Sequence, residues 1–156
     1  IVRGIPGITI MKGYFKDSER TAEAIRDGWL WTGDSVRVRE DGSFRFVDRA
    51  RDLIKRSGEN VSAGEVEAVI KQHEAVSDVA VIGVPDDLRD ETIIAFVILE
   101  RDSIVQTDEI IEFCKSRMSK FRVPEVVEIR QNLPMTATSK VQKHILKKEF
   151  LEGKVT

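Results

Sequence analysis

Lys140 stands where a loop turns into a helix, in Asn132-Leu-Pro-Met-Thr-Ala-Thr-Ser-Lys-Val-Gln-Lys143. Pro134 ends any strand before it, because it has no N–H to give a ladder. Thr136, Thr138 and Ser139 make a turn-rich loop. Val141, Ile145 and Phe150 then recur at helical spacing. A lysine there is a long cationic arm on a movable base. It suits a phosphate or carboxylate held in a cleft that something else helps to form. A solvated lysine beside Lys143, Lys147 and Lys148 fits the same loop, and on the loop alone that is the simpler reading.

Other stretches place charge where the backbone can turn. Asp34 ends Thr32-Gly33-Asp34, just after Trp29 and Trp31, a pair that reads as packing ahead of ligand stacking. Asp48-Arg-Ala-Arg-Asp52 carries four charges in five residues and is the expected boundary between two folding units. Lys55-Arg-Ser-Gly-Glu-Asn60 reads as a polar loop holding one glycine. His73 shares no metal spacing with a second histidine or carboxylate, so it is expected at a half-buried helix edge. Cys114 falls on an apolar helix stripe and is expected in the core.

The elements that position these groups follow from periodicity. Residues 1–16 are punctuated by Gly4, Pro6, Gly7 and Gly13 and read as loop and short strand. A helix is expected over Ser18–Asp27, stopped by Gly28. Residues 35–47 alternate as a hairpin about Glu40-Asp41-Gly42, with Val36, Val38, Phe44 and Phe46 on one face and Arg37, Arg39 and Arg45 on a solvated one. Ser62 and Glu65 form a capping box ahead of a helix whose stripe is Val66, Val69, Ile70 and His73. The apolar runs 78–84 and 92–99 suit strands buried on both faces, joined by a charged connector over 85–91. Thr107 is expected to cap a helix striped by Ile110, Ile111, Cys114, Met118 and Phe121. Val126, Val127 and Ile129 make a further strand before the Pro134 loop and the last helix. The second unit therefore reads α-β-β-α-β-α, an α+β domain with a small sheet and helices packed on it.

Composition narrows the function classes. The 156 residues are 41% hydrophobic and 33% charged, as expected of a globular chain that buries roughly two-thirds of its unfolded surface without staples. The net charge of −2 provides no global basic field for nucleic acid. A single cysteine excludes an internal disulfide and a cysteine-rich metal site, and points to a reducing, cytoplasmic setting. No apolar run approaches the ~20 residues of a membrane span, and no signal peptide is visible. The chain begins at Ile1 and is expected to be a piece of something longer.

Five phrases taken together resemble one family. They are Met11-Lys-Gly-Tyr-Phe15, Gly28-Trp-Leu-Trp-Thr-Gly-Asp34, Asp48-Arg-Ala-Arg-Asp-Leu-Ile-Lys55, Ser57-Gly-Glu-Asn-Val-Ser62 and Leu133 to Lys143. Their order and spacing are similar to those of the adenylate-forming (AMP-binding) acyl-CoA synthetases, a family that includes luciferases and nonribosomal-peptide adenylation domains. Asp90-Glu-Thr-Ile-Ile-Ala-Phe96 and Ser119-Lys-Phe-Arg-Val-Pro124 resemble the crotonobetaine/carnitine-CoA ligase branch.

The resemblance implies a fold and a set of roles. Residues 1–50 would be the tail of a large adenylation domain, and 51–156 a small mobile C-terminal lid with a short mixed sheet flanked by helices. Such enzymes join a carboxylate to ATP, releasing pyrophosphate, and then pass the acyl group to coenzyme A. Lys140 matches the lysine of the first step, Asp34 the carboxylate that accepts the ribose hydroxyls, and Arg49 the arginine beside ribose and phosphate. Arg51 matches the hinge of the lid. Lys55, Ser57, Gly58 and Glu59 match the loop that faces coenzyme A. Mg2+ would be bound outside these residues, as would the acid pocket and the phosphate loop. Ser139 departs from the family's usual glycine, and Arg51 from its frequent hinge aspartate. Two other readings compete: a small ferredoxin-like binding module, whose sheet should show exposed aromatics for base stacking, and a structural adaptor with solvated loops.

Overall fold

The computed structural model describes residues 1–49 and 52–153. Arg51, the expected hinge, lies outside the described residues. The chain opens with short elements. Strand β1 (Val2–Arg3) leads by loops to helix α1 (Ser18–Ala24), then to β2 (Ile25–Arg26) and β3 (Trp29–Leu30). The three strands pair antiparallel in the order β1-β3-β2. Asp17 caps α1 by accepting from the Arg20 N–H at 2.9 Å. The helix stops before the expected Asp27 because Ile25 is taken into the sheet opposite Leu30. The packing expected of the two tryptophans is not met. Trp29 is half-buried and Trp31 is 52% exposed, each lying against an arginine guanidinium.

Strands β4 (Asp34–Val38) and β5 (Phe44–Arg49) form the expected hairpin, turning through Gly42 at a φ of +78°. Val36 faces Phe46 and Val38 faces Phe44 across the ladder, so the apolar face is continuous. That face is open: all four side chains are more than half exposed.

A second hairpin follows where the sequence suggested a polar loop. β6 (Leu53–Arg56) and β7 (Glu59–Ser62) pair antiparallel, with Lys55 opposite Asn60 and Arg56 opposite Glu59. Ser57 and Gly58 have φ of +50° and +81°, the two left-handed positions of a type I′ turn. The strand was hidden because a charged residue fills an inward position: Ile54 and Arg56 are both buried, and Lys55 between them is exposed.

Helix α2 (Ala63–Ile70) leads to β8 (Val76–Asp86) and β9 (Asp90–Leu99), which pair along their whole length; the charged connector is mostly strand, with a tight turn at its tip. Helix α3 (Thr107–Lys115), a 3-10 turn at Lys120–Arg122, β10 (Val126–Ile129) and α4 (Lys143–Gly153) complete the chain. Thr107 is the first helical residue of α3 and not its cap. Gln106 holds the cap position, and its N–H donates to Glu109 Oε1 at 3.1 Å.

β9 is the central strand. β8 flanks it antiparallel, β10 joins in parallel over Ile94–Val97, and β6 meets it at Arg56 and Asp90. Alternation sorts the strand side chains between two cores. Val79, Val81, Ile93, Ala95 and Val97 pack with Val66 and Ile70 of α2 and Ile110 and Cys114 of α3. Ala80, Ile82, Val84, Ile94 and Phe96 pack with Leu133 and with Leu146 and Phe150 of α4. Both strand runs are thus buried on two sides, and the α+β expectation holds. Phe96 is fully buried edge-on to Phe150, 6.2 Å between ring centres, so it is not a base-stacking platform. Cys114 is buried, as expected, and His73 is half-buried against Phe113, 4.8 Å between ring centres.

Candidate functional site

The Lys140 loop is a closed structure on a firm base. Leu133 before it and Leu146 after it are buried under the sheet, and Met135 pairs with Val141 to shut the neck. Gln142 N–H donates to the Pro134 carbonyl and its side-chain amide to the Met135 carbonyl, both at 2.8 Å. Inside, Thr136 organises the turn. Its N–H donates to the Lys140 carbonyl at 2.8 Å, and its hydroxyl oxygen accepts from the Lys140 N–H at 3.1 Å. Ser139 takes a φ of +56°, a left-handed position that favours glycine. Helix α4 begins three residues beyond the lysine, at Lys143.

The side chain of Lys140 is exposed. Its lysine neighbours are occupied: Lys143 pairs with Glu67 at 2.8 Å, Lys147 with Glu91 at 3.2 Å, and Lys148 with Glu152 at 3.8 Å. Among the described residues no ion pair engages Lys140. Of the four lysines it alone has no ion pair among the described residues.

Asp34 and Arg49 are brought together. They are Cα partners at the open end of the β4–β5 ladder, with Arg49 Nε 3.7 Å from Asp34 Oδ1. Neighbouring Asp48 is buried and anchors this end of the hairpin. One of its oxygens accepts from the Arg49 N–H at 2.8 Å. The other accepts from Ser62 Oγ at 2.7 Å and from the Gly64 N–H at 3.1 Å. Ser62 in turn accepts from the Glu65 N–H at 3.1 Å. The start of α2 is therefore capped by Ser62 and Asp48 together, with a carboxylate where the helix dipole favours one. Glu65 pairs with Arg122 at 3.4 Å, so the expected box is made on the Ser62 side.

The Ser57–Gly58 turn borders a cleft of roughly 810 Å3. It is lined by apolar Ile111, Phe121, Val123 and Pro124, by buried Arg56, by Glu125, and by the exposed cations Arg89, Lys115 and Lys120 at its rim. Glu125 accepts from Arg56 at 2.6 Å and also from Arg89, so it fixes two of these cations. Burial, with Arg89 nearby, pushes the Arg56 guanidinium below its usual pKa. A Cβ on Gly58 would meet nothing within 4 Å, so its backbone is open to close approach. Lys55 and Glu59 are exposed on either side of the turn. No hydrogen bond or ion pair among the described residues joins the Lys140 loop to Asp34, Arg49 or this turn. No group of three His, Cys, Asp or Glu among them suits a metal ion.

Residues 65–140 match the AMP-binding enzyme C-terminal domain. Over these residues the chain is similar to the AMP-binding enzymes. It is 46% identical over 147 residues to a crotonobetaine/carnitine–CoA ligase of Salmonella arizonae and 44% identical to that of Escherichia fergusonii, covering 94% of this chain and 28% of each relative. The chain thus spans under a third of the length of these curated relatives. Among solved structures, ATP-bound MatB of Rhodopseudomonas palustris superposes with a TM-score of 0.82 at 29% identity, over 96% of this chain and 31% of that one. The o-succinylbenzoate CoA synthetase of Bacillus subtilis, in complex with its acyl-adenylate, superposes at 0.81 and 32% identity, over 88% and 28%.

The structure holds features that sequence reasoning missed. Asp48 read only as part of a charged break, because its partners Ser62 and Gly64 lie 14 and 16 residues on. The cleft was missed because its cations are dispersed in sequence, from Arg56 to Lys120. The inward phase of Arg56 beside Ile54 was the available signal.

Proposed function

We infer that the chain is the lid-bearing part of an ATP-dependent acid–CoA ligase. Residues 1–50 belong with the large adenylation domain, 51–156 form the mobile C-terminal domain, and Arg51 is the pivot. In the first half-reaction a carboxylate oxygen of a small acid attacks the α-phosphorus of ATP, and the bond to pyrophosphate breaks. In the second the coenzyme A thiolate attacks the acyl carbon of the adenylate, and AMP leaves. ATP and coenzyme A are the cofactors, with Mg2+ and the acid pocket held by sequence beyond these residues. The setting is cytoplasmic.

The exposed Lys140, without an ion pair among the described residues, on its closed loop is the observation that carries this reading. A cation there meets the carboxylate and the α-phosphate together, where charge gathers in the transition state. A preorganised donor of this kind is worth about 3–4 kcal/mol, or 10²–10³ in rate. Asp34 accepts the ribose hydroxyls, and Arg49, paired with it, holds the ribose and phosphate side. After adenylation the lid turns about Arg51, withdraws Lys140 and presents the β6–β7 turn. The pantetheine arm passes over Gly58, flanked by Ser57 and Glu59, and Lys55 supplies charge. The cationic rim beside Ser57 receives the phosphates at the nucleotide end of coenzyme A.

The test separates the half-reactions in the full-length ligase. Lys55→Ala should slow transfer from preformed acyl-adenylate to coenzyme A and spare acid-dependent pyrophosphate exchange. The isolated chain should show no exchange. Exchange by the isolated chain, or a Lys55 effect confined to adenylation, would overturn the assignment.

A further inference from the structure

Glu91, at the start of β9, touches the supports of both lysine-bearing segments. Its Oε2 accepts from the Lys55 N–H at 2.9 Å, and its Oε1 accepts from Lys147 Nζ at 3.2 Å. Among the described residues β6 pairs with β9 only at Arg56–Asp90, so the neighbouring Lys55 N–H has no ladder carbonyl on that side. The Glu91 carboxylate stands in for one. A glycine makes its position possible: a Cβ on Gly83 of β8 would lie 2.9 Å from Glu91 Cδ and 2.8 Å from Ile54 Cγ2. Lys147 lies in α4, the helix that continues from the Lys140 loop. One half-buried carboxylate, 23% exposed, therefore ties the β6–β7 hairpin to that helix.

We propose that Glu91 is a positioning residue for thioester formation. It sets the height and tilt of the Lys55–Gly58 turn on the lid, so that the turn arrives correctly placed when the lid swings. The inference rests on the ligase reading. It predicts an asymmetry: losing the carboxylate disturbs the turn at its root, whereas the Lys140 loop keeps its own closure through Thr136, Gln142 and the Met135–Val141 pair.

The experiment measures both half-reactions in the full-length ligase for Glu91→Ala and Glu91→Gln, with Lys140→Ala as control. Glu91→Ala should raise KM for coenzyme A by about tenfold, below the ~10²-fold that a 1 Å misplacement can cost, and leave pyrophosphate exchange within about twofold. Glu91→Gln keeps an oxygen for the Lys55 N–H and should restore most of the KM. Equal losses in both half-reactions, no change in either, or failure of the Gln variant to rescue would overturn the proposal. If Glu91→Ala does not fold, Glu91→Asp, one methylene short of the Lys55 N–H, carries the same expectation. Exchange unaffected by Lys140→Ala would sink the ligase reading itself. Collapse in that control with an unmoved coenzyme A KM in Glu91→Ala would sink only the role given to Glu91.

Discussion

Ser62 Oγ donates to the buried carboxylate of Asp48 at 2.7 Å, joining the last strand of the β4–β5 hairpin to the first turn of α2. The same carboxylate receives the Gly64 N–H, so two donors depend on it. Asp48→Ala leaves both without their acceptor in a buried place. The chain should lose about 1–3 kcal/mol, the usual penalty for orphaned buried donors, in chemical denaturation. Ser62→Ala should cost about 1 kcal/mol as a lost cap. Additive losses in the double variant would show that the two side chains do not act as a unit.

Ser139 holds a left-handed backbone at a φ of +56°. Such a conformation costs a non-glycine residue roughly 1–2 kcal/mol. Ser139→Gly should therefore leave thermal stability unchanged or raised, and Ser139→Val should lower it, because a β-branched side chain is a poor fit there. A melting series on the three chains decides this. Stability raised by valine would show that the loop takes another shape.

Burial pushes the Cys114 thiol up to about 11, although Arg117 opposes the shift. The folded state thus keeps its proton to higher pH than the unfolded chain, whose thiol titrates near 9.0. The stability contributed is complete below that value and is lost as pH rises from about 9 toward 11, at about 1.4 kcal/mol per unit. Denaturation midpoints should fall across that window and flatten there in Cys114→Ala. Near pH 8 the folded thiol should resist alkylation and react only on unfolding.

The cationic rim beside Ser57 should be felt by coenzyme A alone. Lys120 has no ion pair among the described residues, and Lys115 pairs with exposed Glu112 at 2.6 Å. Lys120→Ala should raise KM for coenzyme A about tenfold, as expected for one lost hydrogen bond to a charged group, with weaker salt dependence. Pyrophosphate exchange should not change. An equal effect on ATP would place the nucleotide elsewhere.

Much of this architecture was legible in the residues. The runs 78–84 and 92–99 announced strands covered on both sides, and the stripes of α2 and α3 named the helices that cover one of them. What was obscured had a physical cause. β6 and β7 were masked because Arg56, a charge, holds an inward position made tolerable by Glu125. The end of α1 was set by a sheet partner and not by its own sequence. Asp34, Arg49, Lys140 and the Ser57–Gly58 turn were legible as phrases, whereas Asp48, Glu91 and the cleft rim act through contacts between distant segments.

The most direct measurement is acid-dependent ATP–pyrophosphate exchange by full-length Lys140→Ala, alongside transfer from preformed acyl-adenylate to coenzyme A. If Lys140 meets the acid and the α-phosphate, exchange falls by 10²–10³ while the transfer step stays within a few-fold of the parent. Exchange retained within a few-fold in a folded variant would contradict the account.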